Sequence, residues 1–213
     1  MALGQGRAEH WDDAYRTRGV DGVSWFQIEP TTSLALLDAL GVRPNAAVID
    51  IGGGASTLVD QLVRRGYQDL TVLDISAAAL EEGRKRLGED APVTWVHEDL
   101  LAWRPERRFD VWHDRAVFHF LVEPEEQRRY LSLLAEAVED GGALILGTFA
   151  EDGPEYCSSL RVSRYNAAEL TELLGGLCET VVTTREVHVT PAGARQPFTW
   201  VAGHKVGESP RGG

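Results

Sequence analysis

Five short, almost wholly apolar runs (residues 48–51, 70–74, 93–97, 109–113 and 143–149) alternate with stretches of helical character. A strand buried on both faces reads as a near-continuous apolar run, whereas a half-exposed strand alternates. Such runs, separated by helices, predict a parallel sheet covered on both sides. Residues 1–18 read as a helix carrying Trp11 and Tyr15 on one side, and Trp25 and Phe26 fall in the loop that follows. Pro30, Thr31, Thr32 and Ser33 open a second helix, with Leu34, Leu37 and Leu40 at helical spacing and Gly41 at its end. Residues 56–65 are amphipathic and stop at Gly66, and Ser76 caps a helix reaching about Leu87. Residues 124–138 form a helix closed by Asp140, Gly141 and Gly142, and residues 167–174 form the last.

The end of the chain has a different period. Residues 180–189 and 198–205 alternate, with a turn at Pro191, Ala192 and Gly193 between them. That connection is too short for a parallel crossover, so the two strands must form an antiparallel hairpin. The predicted fold is α/β: a doubly wound, mostly parallel seven-stranded sheet with a C-terminal antiparallel hairpin. A single domain is expected over residues 1–206, with residues 1–44 as an N-terminal helical part, 45–206 as the core, and 207–213 as a disordered tail.

Charge narrows the function. Thirty-three acidic residues against 21 basic ones give a net charge of −12, the wrong sign for a protein that tracks phosphate backbones. No apolar run approaches the roughly 20 residues of a membrane helix, and the opening residues have no apolar segment of a secretory signal. Cys157 and Cys178 are too few for a disulfide framework, and no CxxC occurs. No nucleic acid partner, no membrane partner and a cytoplasmic setting are therefore expected.

The first apolar run ends in three glycines, VIDIGGGAS over residues 48–56. In a doubly wound sheet, ligands bind beyond the carboxyl ends of the strands, and Gly52, Gly53 and Gly54 fall there. A Walker phosphate loop needs a following Lys, but Ala55, Ser56 and Thr57 follow. A dinucleotide fingerprint needs a glycine where Thr57 stands. A ligand-free turn has little use for three successive glycines, each of which loses backbone entropy on folding. The carboxylates suggest a different ligand. Asp74, after the second strand, can take both hydroxyls of a ribose. Asp99, after the third, can accept from an adenine amino group. Asp50 can orient the glycine loop and answer an ammonium group. Nothing is supplied for a pyrophosphate. The expected ligand has an adenosine end, an amino-acid end and positive charge.

With these residues in place, the chain resembles the class I S-adenosylmethionine-dependent methyltransferases. VIDIGGGAS resembles their first motif, LTVLDIS their ribose motif, HEDLL their adenine motif and FDVWHDRAVFHFL their fourth, while LAEAVEDGGALILGTF resembles the helix and strand that follow. The resemblance implies a Rossmann-like methyltransferase fold with S-adenosyl-L-methionine as cofactor. It implies that Gly52 and Gly54 line the methionine part, that Asp74 binds the ribose with Ile75 against the adenine, and that Asp99 and Leu100 meet the adenine edge. His113 and Asp114 would border the methionine part and the acceptor. The N-terminal HWDDAY and SWF resemble a subgroup that includes protein-lysine, thiol and tellurite methyltransferases. There the segment lids the cofactor, so Trp11, Tyr15, Trp25 and Phe26 are the matching aromatics and residues 1–44 become a lid and cap. The Asn/Asp-Pro-Pro-Tyr/Phe motif of nucleic-acid amino methylators is replaced by HDRA.

Methyl transfer is an in-line displacement in which the protein orients two atoms and excludes water. A thiol, hydroxyl or ammonium acceptor is helped by a base. His119 and Asp114 are the candidates. The plainer alternatives are a packed, hydrogen-bonded His119 and an Asp114 paired with Arg115. Trp11 and Trp25 are lid residues or ordinary core aromatics. Tyr156 and Cys157 lie where substrate contacts are expected. Cys157, His119 and His188 are scattered, so no metal site is expected. The predicted function is methyl transfer to a small-molecule or protein side-chain nucleophile. A NAD-linked oxidoreductase is disfavoured by Thr57 and by the 47 residues ahead of the first strand. A non-catalytic cofactor-binding module is the other alternative.

Overall fold

A computed structural model describes residues 3–207. Most of the predicted tail, residues 208–213, therefore lies outside the described residues. Helices α1 (Leu3–Arg18) and α2 (Thr31–Ala39) precede the sheet. Strand β1 (Ala47–Ile51), helix α3 (Leu58–Arg64), strand β2 (Asp69–Asp74), helix α4 (Ala77–Leu87) and strand β3 (Val93–His97) build the first half. Strand β4 (Phe109–Arg115), helix α5 (Pro124–Ala137) and strand β5 (Val138–Phe149) follow. A ribbon of β6 (Tyr156–Cys157) and β7 (Leu160–Arg161), helix α6 (Ala167–Leu174), and strands β8 (Cys178–Val189) and β9 (Arg195–Lys205) complete it.

Seven strands form one sheet in the order β3-β2-β1-β4-β5-β9-β8. The first five are parallel, and β9 runs antiparallel to both β5 and β8. Strand order reverses between β1 and β4, which opens a crevice at their carboxyl ends. Two apolar layers cover the sheet. One packs α2, α3 and the aromatic pair Phe198 and Trp200 against β1 and β2. The other packs α5 and α6 around Trp112, Phe118 and Tyr130. Among the described residues, no helix is long and apolar enough to cross a membrane.

Helix starts follow local chemistry. Ser76 caps α4 by accepting from the Ala79 amide at 3.1 Å. Asn166 and Glu169 make a reciprocal capping box on α6. Two expectations need correction. Residues 140–142 do not stop α5: the helix ends at Ala137, and β5 begins at once with Val138 opposite Phe109. A register shift after Phe109, together with Gly141 at φ 78°, lets the strand absorb those residues. The stretch after β5, expected as plain loop, contains the β6–β7 ribbon. Its turn is Ser158 and Ser159 at φ 47° and 65°, a conformation that Asn and Gly usually supply.

Arg86, near the end of α4, ties the glycine turn to the framework. Its guanidinium grips both oxygens of buried Asp60 at 2.7 Å and donates to the Ala55 and Ser56 carbonyls at 3.1 and 2.8 Å. Replacing Arg86 with Met should strand the Asp60 carboxylate. Because Arg86 is itself partly exposed, a loss of about 2–3 kcal/mol is expected in denaturant unfolding, with part recovered in the Asp60→Asn/Arg86→Met double variant. Full stability in the single variant would remove this tie from the framework.

Candidate active site

Beyond the carboxyl ends of β1–β4 lies a cavity of about 350 Å³, and beside it a recess of about 50 Å³. They share a wall of Tyr15, Trp25, Ile51, Gly52 and Arg115. The glycines make the close approaches possible. A Cβ on Gly52 would lie 2.1 Å from Val117 Cγ2, on Gly53 2.4 Å from Asp50 Oδ2, and on Gly54 2.6 Å from Asp74 Oδ2. Gly52 at φ 64° and Gly54 at φ 34° also adopt backbone conformations that side chains disfavour.

Asp74, Ile75, Asp99 and Leu100 line the large cavity, as do Trp11, Trp25 and Gly52. Asp74 is buried and accepts from the Ser76 amide at 2.7 Å. Burial, reinforced by the nearby Asp50 and Asp12 carboxylates, raises its pKa to about 7. Asp99 shapes its own turn by accepting from the Leu101 amide at 2.9 Å. Asp50 and His113 lie in the small recess. His113 Nδ1 is 2.7 Å from Asp50 Oδ1 and its Nε2 is 2.9 Å from Ser33 Oγ, so the imidazole holds one carboxylate oxygen. The other, Asp50 Oδ2, is buried without a partner.

The N-terminal aromatics close over this region. Trp25 Nε1 donates to Tyr15 Oη at 2.9 Å, and Trp11 stands edge-on to Trp25 and Phe120 at 5.4 and 5.0 Å. Phe26 lines only the small recess. Sequence reading passed over Asp12. Its Oδ1 accepts from Ser76 Oγ at 2.7 Å and from the Ala78 amide at 3.1 Å, fastening α1 to the N-terminus of α4. Burial works to raise its pKa, but these bonds hold it below the ordinary value. The adjacent acids in HWDD were the one available signal.

Four other candidates sit elsewhere. Gly54 lines neither cavity; it makes room for Asp74 and Ala79. Tyr156 is 60% exposed and points outward, while its neighbour Cys157 lines the large cavity, as alternation along β6 requires. Burial pushes the Cys157 thiol up to about 11. Asp114 faces the α5 layer, where it accepts from Tyr130 Oη at 2.7 Å and from the Val117 and Phe118 amides at 2.8 and 3.1 Å. It does not pair with Arg115, because adjacent strand residues face opposite ways. Burial raises its pKa to about 6 against those bonds. His119 is fully buried between Phe120 and Phe149 and accepts from the Phe149 amide at 3.3 Å. Burial, aided by the Arg115 charge, depresses its pKa to about 3. Arg7, Arg115 and Arg161, which line the large cavity, were not foreseen. No cluster of metal-ligating side chains occurs among the described residues.

An adenosine–amino-acid ligand with a positive charge fits this donor and acceptor set. The unpartnered Asp50 Oδ2 awaits a donor, and the glycine turn leaves backbone open to close approach. Comparison with known proteins agrees. A methyltransferase-domain family model matches residues 48–142. EEF1A lysine methyltransferase 2 of Danio rerio is 30% identical over 157 residues, covering 66% of this chain and 67% of that protein. Nodulation protein S of Rhizobium tropici is 27% identical over 139 residues, 65% of this chain and 58% of that one. The chain spans only 22% of the mouse eEF1A lysine and N-terminal methyltransferase, at 26% identity. Among solved structures, Burkholderia thailandensis 1,6-didemethyltoxoflavin-N1-methyltransferase, with S-adenosylhomocysteine bound, has a TM-score of 0.69 and 21% identity over 95% of this chain and 85% of that one. NodS of Bradyrhizobium japonicum, also with S-adenosylhomocysteine, has a TM-score of 0.68 and 13% identity over 91% of this chain and 97% of that one. At those identities the structures speak for the fold alone, while the sequence relatives and the motifs carry the family. The chain belongs to the class I S-adenosylmethionine-dependent methyltransferases.

Proposed function

We propose that this chain transfers a methyl group from S-adenosylmethionine to a small molecule held under the N-terminal helix. The observation that carries the reading is the joint placement of Asp74, Asp99, Gly52 and the Trp11–Trp25 pair around one cavity. When bound, the cofactor supplies an electrophilic methyl on a sulfonium. Asp74 takes the ribose hydroxyls, Asp99 and Leu100 meet the adenine edge, and Asp50 Oδ2 accepts from the α-ammonium. His113 orients Asp50. Residues 1–44 act as lid and cap of a single domain, with Trp11, Tyr15 and Trp25 excluding water. A small acceptor is favoured because the lid and the ribbon meet over the cavity, with His10 Nε2 3.2 Å from Ser158 Oγ. Two free, buried cysteines support a cytoplasmic setting.

Asp74, raised by burial to about 7, stands at the cavity wall, but this reading commits its carboxylate to the ribose and not to the acceptor. His119, with a pKa near 3, would be a weak base. We assign His119 and Asp114 to the framework, and the acceptor reacts through a nucleophile already available at neutral pH. Incubating the full chain with methyl-labelled cofactor and separated protein and small-molecule fractions of a cell extract tests this. Label should enter the small-molecule fraction; label in protein alone would overturn the choice.

Asp74 makes cofactor binding depend on pH. Its carboxylate must be ionised to accept from both ribose hydroxyls, and in the free protein it holds its proton up to about pH 7. S-adenosylhomocysteine affinity should therefore fall about tenfold from pH 8 to pH 6, as measured by calorimetry. Asp74→Asn should bind more weakly throughout and flatten that profile. An unchanged profile in a folded variant would take Asp74 off the ribose.

His119→Ala separates framework from catalysis. A cavity and a stranded amide should cost about 2–4 kcal/mol in unfolding, while turnover per folded molecule stays near the parent value. Normal stability with lost turnover would restore His119 as a base.

A further inference from the structure

We propose that Arg115 is a receptor for a carboxylate on the methyl acceptor, so that this enzyme acts on small anionic molecules. The inference rests on the methyl-transfer reading above and names its substrate class.

Arg115 ends β4 and belongs to the wall shared by the two cavities. One nitrogen, Nη1, donates to the Trp25 carbonyl at 3.0 Å. The other two, Nε and Nη2, are out of solvent's reach and have no partner. No carboxylate of the described residues pairs with it. Its nearest acidic influences are engaged elsewhere: Glu186 accepts from Gln27 Nε2 at 2.6 Å and Trp200 Nε1 at 2.9 Å, and Asp50 is held by His113. A guanidinium does not lose its proton, and leaving two of its donors buried and unpaired costs free energy that a bound anion would return. Its planar fork matches a carboxylate.

Two further observations put that anion on the acceptor rather than on the cofactor. The guanidinium stacks on Phe198 of β9, 4.6 Å from the ring centre. That ring belongs to β9, two strands from β4 and three from β1, so the stacking partner lies on the β5 side of the wall that Arg115 shares with Gly52. The charge of the large cavity is also divided. Among the described residues that line it, the carboxylates are Asp74, which ends β2, and Asp99, which follows β3. Arg161, an exposed residue of the ribbon, lines the cavity with Cys157 and Leu160, and its side chain makes no hydrogen bond or ion pair with the described residues. In a chain of net charge −12, two unpaired arginines lining one cavity would repel an ammonium acceptor and attract a carboxylate.

The test uses the full chain loaded with S-adenosylhomocysteine, with tryptophan fluorescence as readout. It compares phenylacetate with phenylacetamide, benzoate with benzamide, and hexanoate with hexanamide. The carboxylate of at least one pair should bind about tenfold or more tightly than its amide. The preference should vanish in Arg115→Gln and persist in part in Arg115→Lys, while both variants keep the parent affinity for S-adenosylhomocysteine, which also shows that they fold. Equal binding within every pair would overturn the proposal. So would an Arg115→Gln variant that loses S-adenosylhomocysteine affinity but binds 5′-methylthioadenosine normally, because the guanidinium would then serve the cofactor's own carboxylate. Failure of the unaltered chain to bind S-adenosylhomocysteine would instead overturn the methyl-transfer reading.

Discussion

Three missing Cβ atoms decide where everything else in the site can go. The turn after β1 passes so close to Asp50, Asp74 and Val117 that a methyl group at any of its glycines would collide with one of them. Steric freedom here becomes electrostatic proximity. Burial of Asp74 on β2 raises its proton affinity, and the carboxylates of Asp50 on β1 and Asp12 on α1 add to the effect. The framework spends stability on this arrangement, since buried carboxylates without cations are costly. That cost marks the region as built for a ligand rather than for packing.

Legibility from sequence followed the strength of local signals. Strands β1, β2, β4 and β5 were readable because burial on both faces leaves a near-continuous apolar run, which the half-buried edge strand β3 keeps only in part, and the hairpin because its connection is too short for anything else. Ser76 was readable as a cap because its hydroxyl acts on its own helix. The β6–β7 ribbon was not readable, because two serines hold left-handed backbone angles that favour Asn and Gly. The boundary between α5 and β5 was misplaced because Gly141 and Gly142, ordinarily a stop, here sit inside a bulged strand.

The same logic separates the predicted residues that line the large cavity from those that do not. Asp74, Ile75, Asp99 and Leu100 follow strand ends, where topology alone fixes the direction of approach. Asp114 lies in the last residues of β4 and His119 in the turn just beyond it, where a single step along the chain turns a side chain from cavity to core. Arg115, one position on from Asp114, received no role because its significance lies in partners it lacks. Two unpartnered nitrogens of a guanidinium are invisible until three dimensions show that no acceptor reaches them.

Helix α1 is fastened by unlike bonds, among them an ion pair of Arg7 with Glu126 on α5. At the start of α4, the Asp12 carboxylate accepts from a hydroxyl and a backbone amide, a charge-assisted pair aided by the helix dipole. On the ribbon side, a single imidazole–hydroxyl contact joins His10 to Ser158. The weaker fastening releases first. On the proposed reading of α1 as a lid, the ribbon edge would be the door and the α4 edge its hinge.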